Sequence, residues 1–295
     1  MAMIDSTFDL FYAMTLPPVE AVAYFKQKGL QVSENWYDLL GEVHSKVFTV
    51  ANCAKLDVLQ SIRDEVKKAM DGNVSFSEFK KNLTPTLQAK GWWGKAIDQS
   101  TGEITKMYPG TSRPVQYGSP WRLKLIYDQN LQTAYMAGRR ARQLERVDSF
   151  PYWQRIEIMD ARTRPSHRVL SGLTFRYDDP YWTHFYPPDA FKCRGRVRAL
   201  SGDQVSSEKV SVSNSAGRLD FVDVPVSKTN PNAGTVKVAR YMLSSPSTPK
   251  HLRQYAQTDP GWTHAPGEGW QPNLKSYDTD LVEQYRKAFK EGGKK

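Results

Sequence analysis

Apolar residues recur at intervals of three and four from about Glu34 to Met70: Trp36, Leu39, Leu40, Val43, Val47, Val50, Ala54, Val58, Ile62 and Val66. That is the spacing of a helix with one buried face, so the pattern predicts helix across this stretch, with Gly41 as a break between two helices. Before it, residues 1–17 form an extended arm ending at Leu16-Pro17-Pro18, and Val19, Val22, Ala23 and Phe25 make a short apolar stripe. Pro18 suits the first helical position, and Gly29 suits the residue just past the last turn. Asp71-Gly72-Asn73 stops the long pattern. Ser75-Phe76-Ser77-Glu78 is a capping box that starts a new helix, which Pro85 is expected to split or restart.

Periodicity is lost over 91–120, where Gly91-Trp92-Trp93-Gly94, Pro109-Gly110, Pro114 and Gly118-Ser119-Pro120 predict a loop or irregular hairpin with aromatic anchors. The helical period returns over 121–147, with Leu123, Ile126, Tyr127, Ala134, Ala137, Ala141 and Leu144 on one face. Tyr152 to Met159 then alternates like a strand, and Val197 and Leu200 stand among arginines in a second short stretch from Arg194. Strands are also expected at Leu219 to Val226 and Thr235 to Arg240. Residues 244–280, rich in Pro, Gly, Ser and Thr, are expected to wind over a surface or another subunit, before a short helix at 280–290 and a frayed basic end. The fold class is α+β: a helical N-terminal domain (1–90), a compact α+β domain (91–202) containing the helix 121–147, and a region of strands, extended arm and terminal helix (203–295).

Composition narrows the function. The 295 residues carry 41 Lys/Arg against 31 Asp/Glu, a net charge of +10, and residues 121–200 hold 15 basic against 8 acidic side chains. An excess of this kind speaks to polyanionic partners, nucleic acid first among them, although a basic surface is also compatible with simple solvation. No run of about 18 apolar residues is present to span a bilayer, and the N-terminus lacks the charged and apolar blocks of a secretory signal. The two cysteines, Cys53 and Cys193, make no disulfide framework and read as reduced thiols.

The densest group of chemically capable residues runs from Asp160-Ala161-Arg162-Thr163-Arg164-Pro165-Ser166-His167 through Gly172, Asp179-Pro180, Trp182, His184 and Pro187-Pro188 to Cys193. Asp160, His167, His184 and Cys193 are zinc-ligand types, but their spacing matches no compact zinc signature. Ser166 or Cys193 with His167 and Asp160 has the residue types of a nucleophilic site without any positional signature. The reading favoured is a structural network. Arg162 and Arg164 would make bidentate bonds to Asp160, Asp178 or Asp179, and His167 would bridge a loop. Gly172 would take a positive φ, and the prolines would stiffen the chain after it. Separately, Arg194, Arg196 and Arg198 alternate, so an extended strand would place all three on one face able to track a nucleic-acid backbone; a solvated edge strand is the plain alternative. Arg139, Arg140 and Arg142 on the preceding helix are further candidates to face DNA. No phosphate-binding glycine loop is present, so no cofactor is called for.

These residues also carry a family likeness. Arg122, Ile126-Tyr127, Asn130-Leu131, Thr133-Ala134-Tyr135 and Ala137-Gly138-Arg139, followed by Tyr152-Trp153, Asp160 to His167, Gly172, Asp179-Pro180-Tyr181-Trp182, Tyr186-Pro187-Pro188 and Cys193-Arg194, resemble the ordered motifs of the phage Mu F-like minor head proteins. The Pro-Pro-x-Glu-Ala stretch from 17, Trp36 and Phe48 to Ala51 resemble that family's helical leader, so the likeness covers about residues 8–202. One departure stands out: where members often show Cys-Arg-Cys, this chain has Cys193-Arg194-Gly195. A two-thiol metal or redox role is thereby removed.

The resemblance implies a structural protein of the virion, acting in head morphogenesis at the head interior or portal vertex after assembly in the host cytoplasm. Its partners would be portal and major capsid proteins and double-stranded phage DNA, with no membrane and no small-molecule substrate. On this reading Trp262 and Trp270 are buried only in an assembled particle. The competing readings are a metal-dependent nuclease using Asp160, His167 and His184, and a sequence-independent DNA-binding protein relying on Arg194, Arg196 and Arg198.

Overall fold

The computed structural model describes residues 19–40, 47–72 and 74–268. The expected N-terminal arm with Pro18, Gly41, Trp270, the terminal helix and the basic end all lie outside the described residues.

Three helices and part of a fourth share the first hydrophobic core: α1 (Val19–Gln27), α2 (Leu56–Gly72), α3 (Phe76–Ala89) and α4 (Pro120–Leu144). The periodic apolar positions of α2, with Val58, Leu59, Ile62 and Val66 fully buried, pack against Phe79, Leu83 and Leu87 of α3 and Leu123 and Tyr127 of α4. The capping box forms as read: Ser75 Oγ accepts from Glu78 N at 3.3 Å, and Glu78 Oε2 accepts from Ser75 N at 3.4 Å. Ser119 caps α4, accepting from Arg122 N at 3.2 Å. Gly138 permits a close crossing of α4 and α1, since a Cβ there would lie 2.8 Å from Ala21 N.

The structure departs from the sequence pattern in three places here. Helix does not run from 34; residues 34–40 are turns, and β2 (Val47–Phe48) pairs in parallel with β1 (Gly29–Leu30). Gly29 therefore starts a strand rather than closing α1 in the left-handed region. Backbone pairing with 29–34 competes successfully with helix formation, because Asn52 N bonds Glu34 O at 2.9 Å with Asn52 at φ 54°. Phe48, Val50 and Cys53 still reach the core from this extended segment, so the apolar spacing records burial without a helix. Pro85, third, does not split α3. Its ring is exposed, so the carbonyl it orphans faces water while Leu83 and Leu87 stay buried on the other side.

Residues 93–118 form the irregular hairpin, held by bridges Lys95↔Gln116, Ile97↔Ile104 and Met107↔Pro114. Trp92 anchors it, donating from Nε1 to Asn52 O at 2.7 Å.

The second core lies beyond α4. A three-stranded antiparallel sheet runs in the order β4 (Thr174–Arg176), β3 (Tyr152–Ile156), β5 (Arg196–Leu200). Short helices α5 (Pro165–Arg168), α6 (Tyr181–Phe185) and α7 (Gly202–Ser207) connect and follow these strands. A second antiparallel sheet, β6 (Leu219–Pro225), β7 (Thr235–Met242) and β8 (Tyr255–Gln257), packs Tyr241, Ala239 and Ala256 into the same core. At its centre, Trp153 contacts Tyr177, Trp182 and Tyr186, while Tyr181 lies between Phe175 and Phe185 at centroid distances of 4.3 and 5.0 Å. Helix α4 serves both cores, with Ala134 and Ala137 facing the first and Met136 the second. The architecture is α+β.

Trp262 is buried within the chain itself, packed edge-on against Phe191 at 5.1 Å, and does not wait for an assembled particle. The reason is local. Strand β8 brings the following turn back onto the sheet, where Trp262 N bonds Asp259 O and Ala265 N bonds Thr183 O at 2.8 Å. The described part of the 244–280 stretch thus covers its own chain.

Candidate functional site

The polar cluster read from the sequence is assembled, but around a residue that reading did not single out. Arg155 sits on β3 with Trp153, and the alternation of a strand sends Trp153, Arg155 and Glu157 to one buried face. Its guanidinium is wholly enclosed and grips Asp189 at both ends, Nη1 to Oδ2 at 2.7 Å and Nη2 to Oδ1 at 2.9 Å. Nε donates to Glu157 Oε1 at 2.8 Å, and Nη1 also donates to Phe185 O at 2.8 Å. Burial alone would push the Asp189 carboxyl up; the Arg155 charge and hydrogen bonds more than reverse this, and it lies below its ordinary value. For Glu157 burial prevails over the same guanidinium, and its carboxyl is raised. The signal was present in the sequence: an arginine and a glutamate in phase with a tryptophan on a strand must find partners inside.

The residues predicted from the sequence take varied places around this centre. Asp160 is gripped by Arg194, Nη1 to Oδ2 at 2.8 Å, and accepts from Arg162 N at 2.9 Å. The Arg162 side chain itself is almost fully exposed and only 3.6 Å from Asp160, so the expected bidentate role belongs to Arg194. Arg164 reaches Asp259 at 2.9 Å, 95 positions away, and the Phe191 carbonyl. Asp178 pairs with Arg176, and Asp179 accepts from Tyr181 N and Ser215 N, so neither takes the partner expected for it. Pro180 leads into α6, Trp182 donates to Arg176 O at 3.1 Å, and Gly172 turns at φ 88°. Pro187 and Pro188 are buried beside Asp189. His167 is buried, with Nε2 3.8 Å from Asp189 Oδ1.

The four-residue zinc set and the nuclease set are not brought to one place. Asp160 is held by Arg194, and His184 Nδ1 is spent on Thr263 O at 2.8 Å. Cys193 is 2% exposed and burial pushes its thiol far up, opposite to the need of an attacking thiolate.

The Arg194 guanidinium holds the Asp160 carboxyl far below the usual carboxylate range, against the smaller effect of desolvation and with help from Arg162 N. A carboxyl whose value falls on folding adds stability that is fully present above its unfolded value and is lost as pH falls toward the folded one. Asp160→Asn is therefore expected to lower the urea midpoint by a constant margin down to about pH 5. That margin should shrink once the pH passes below the unfolded value of 3.8. A margin that is unchanged at about pH 3 would remove this pair from the account.

The arginines proposed to face DNA separate into two groups. Arg139, Arg142 and Arg198, joined by Arg146, line one open groove of about 430 Å³ between α4 and β5, together with Tyr135, Gly138 and Ala199. Positions 135, 139, 142 and 146 recur at helical spacing, which is why they share a face. Among the described residues Glu20 is the lone carboxylate lining the groove, and it pairs with Arg142. Glu208 pairs with Arg198 from outside, with Nη1 to Oε2 at 2.9 Å. Arg139 donates to Val197 O at 3.1 Å, which ties helix to strand. Arg140 points elsewhere, its charge opposed by burial near Tyr186 and Glu268. Arg194 precedes β5 and is committed to Asp160, so the expected three-arginine row is not a single open face.

A helical and small-sheet scaffold knit by buried ion pairs, with a basic groove on its surface, is the class of protein the geometry defines. Residues 60–198 match the family described as Phage Mu protein F like protein. The chain is 40% identical over 266 residues, 90% of its length, to protein F of Escherichia phage Mu, whose name gives it a putative role in capsid assembly. It is also 40% identical over 197 residues, 67% of its length, to the Mu-like prophage FluMu F protein of Haemophilus influenzae. It spans 57% and 45% of those two relatives' own lengths. No solved structure matches it. The chain belongs to the phage Mu F-like family.

Proposed function

We propose that the chain is a structural minor head protein that acts in phage head morphogenesis near the portal vertex, with portal and major capsid proteins as partners. The observation that carries this reading is the 40% identity, over 90% of the chain, to a phage protein named for capsid assembly. Its place is the head interior or portal vertex of the virion, after assembly in the host cytoplasm, and it performs no turnover. Co-purification with portal or capsid protein, and presence in virions, test it; a chain found in neither does not have this role.

Within that role the α4–β5 groove contacts the backbone of packaged double-stranded DNA. Four arginines against one lining carboxylate support a polyanionic occupant, and such contacts position DNA without reading sequence. Removing one phosphate-binding side chain reduces the slope of log affinity against log salt by about 0.9. The double variant Arg142→Ala/Arg146→Ala is expected to reduce that slope by about two, equally on unrelated duplexes. Binding that is absent, or independent of salt, would sink the DNA reading while leaving the assembly reading intact.

A further inference from the structure

We propose that Glu157, His167 and Cys193 bind one structural zinc ion. Their ligand atoms (a carboxylate oxygen, an imidazole nitrogen and a thiol sulfur) all lie within 4.8 Å of one another, and all three residues are buried. Among the described residues this is the one such group of His, Cys, Asp and Glu. The three donors come from different elements: Glu157 just past β3, His167 on α5 and Cys193 on the loop before β5.

Three features of the surroundings point to a ligand. Glu157 Oε2 is buried and has no hydrogen-bond partner, although its other oxygen is held by Arg155. An orphaned carboxylate oxygen in the interior is costly, and a cation is the natural partner for it. The carboxylate also lies flush against Gly195, where a Cβ would come within 2.5 Å of Oε1, so the backbone there is cut back to admit it. Finally, the Cys193 sulfur accepts from Gly195 N at 3.4 Å and from Arg155 Nη2 at 3.9 Å. Donors aimed at a sulfur favour the thiolate, and they are the usual outer partners of a thiolate that binds metal.

Charge reaches the same answer. Arg155 brings one positive charge to this centre and the carboxylates of Asp189 and Glu157 bring two negative ones, so the enclosed group carries one uncompensated negative charge. Zinc entry brings two positive charges and releases the thiol proton to solvent, so the enclosed group becomes neutral. Mixed nitrogen, sulfur and oxygen donors at borderline softness select zinc, and full enclosure marks a structural rather than a catalytic site. Asp189 Oδ1, held by Arg155 Nη2, lies 3.8 Å from His167 Nε2. The ion would tie strand, helix and loop together where the chain has little regular structure of its own.

The test uses the full chain, purified without chelator. Metal analysis is expected to find about one zinc per chain, and cobalt(II) substitution is expected to give a sulfur-to-cobalt charge-transfer band. Cys193→Ser should abolish that band, and Glu157→Gln should weaken zinc binding at least tenfold while retaining it. A zinc chelator should lower the melting temperature of the wild type by on the order of 5 °C and leave Cys193→Ser unmoved. Should Cys193→Ser fail to fold, the wild-type cobalt spectrum and chelator response decide alone. A folded wild type that takes up no stoichiometric zinc and ignores the chelator overturns the proposal, as does zinc content unchanged by Cys193→Ser. In those cases the three residues are a metal-free polar knot.

Discussion

Arg155→Ala is expected to destabilise the protein by about 3–5 kcal/mol, enough to leave much of the chain unfolded at 37 °C. The substitution strands Asp189 in an interior where both its oxygens now rest on the guanidinium, and it leaves Glu157 without the donor to Oε1. The loss of an enclosed cation costs more than the pair ever contributes, because the surviving carboxylates must be buried alone or protonated. Equilibrium urea denaturation measures it, and Arg155→Lys separates geometry from charge. A single ammonium cannot span both Asp189 oxygens together with Glu157, so lysine should recover less than half of the loss. The double variant Arg155→Met/Asp189→Leu, which removes charge from both sides, should be more stable than Arg155→Ala. A cost below about 1 kcal/mol for Arg155→Ala would mean that water reaches this centre.

Trp153→Ala, made by itself, is expected to cost about 3–5 kcal/mol. The indole is wholly buried and touches Tyr177, Trp182 and Tyr186, with centroids 6.4, 5.7 and 5.7 Å away. These rings belong to a chain turn, a helix and the residue following it, so the cavity cannot close by moving one element. Near-UV circular dichroism should lose much of its aromatic signal, and Trp153→Phe should restore part of both signal and stability. A loss confined to the spectrum, with the urea midpoint unchanged, would show that the aromatic cluster repacks around the gap.

Both substitutions fall in the β3 strand, and that strand illustrates how the sequence could be read and where reading stopped. The alternation of Tyr152 to Ile156 identified a strand from residue types alone, because side-chain direction in an extended backbone depends only on parity. The capping box at Ser75, the helix over Pro120–Leu144 and the positive φ at Gly172 were legible for the same kind of reason: each is fixed within a few neighbours. Over 34–40 and 47–55 the apolar spacing predicts helix where the described chain is turns and extended segment, because threes and fours describe which residues are buried, and a segment paired to 29–34 can bury the same residues.

The cluster from Asp160 to Cys193 was recognised as a network from its residue types, but its pairings were not legible. Arg194 rather than Arg162 takes Asp160, Asp259 takes Arg164 and Asp189 takes Arg155, across separations of 34, 95 and 34 positions. No local rule chooses among carboxylates so far apart. The basic groove was likewise half visible: helical spacing gathers Arg139, Arg142 and Arg146, whereas the arrival of Arg198 depends on β5 lying beside α4.

By itself, then, the sequence determined the α+β class, most helix and strand positions, the basic balance and the family, since each follows from spacing, composition or ordered motifs. Only the tertiary structure decided that Arg155 is the centre of the buried network, that Trp262 closes against its own chain, and that Glu157, His167 and Cys193 converge. Those facts depend on which distant segments the two cores press together, and burial makes each such meeting of charge or ring energetically decisive.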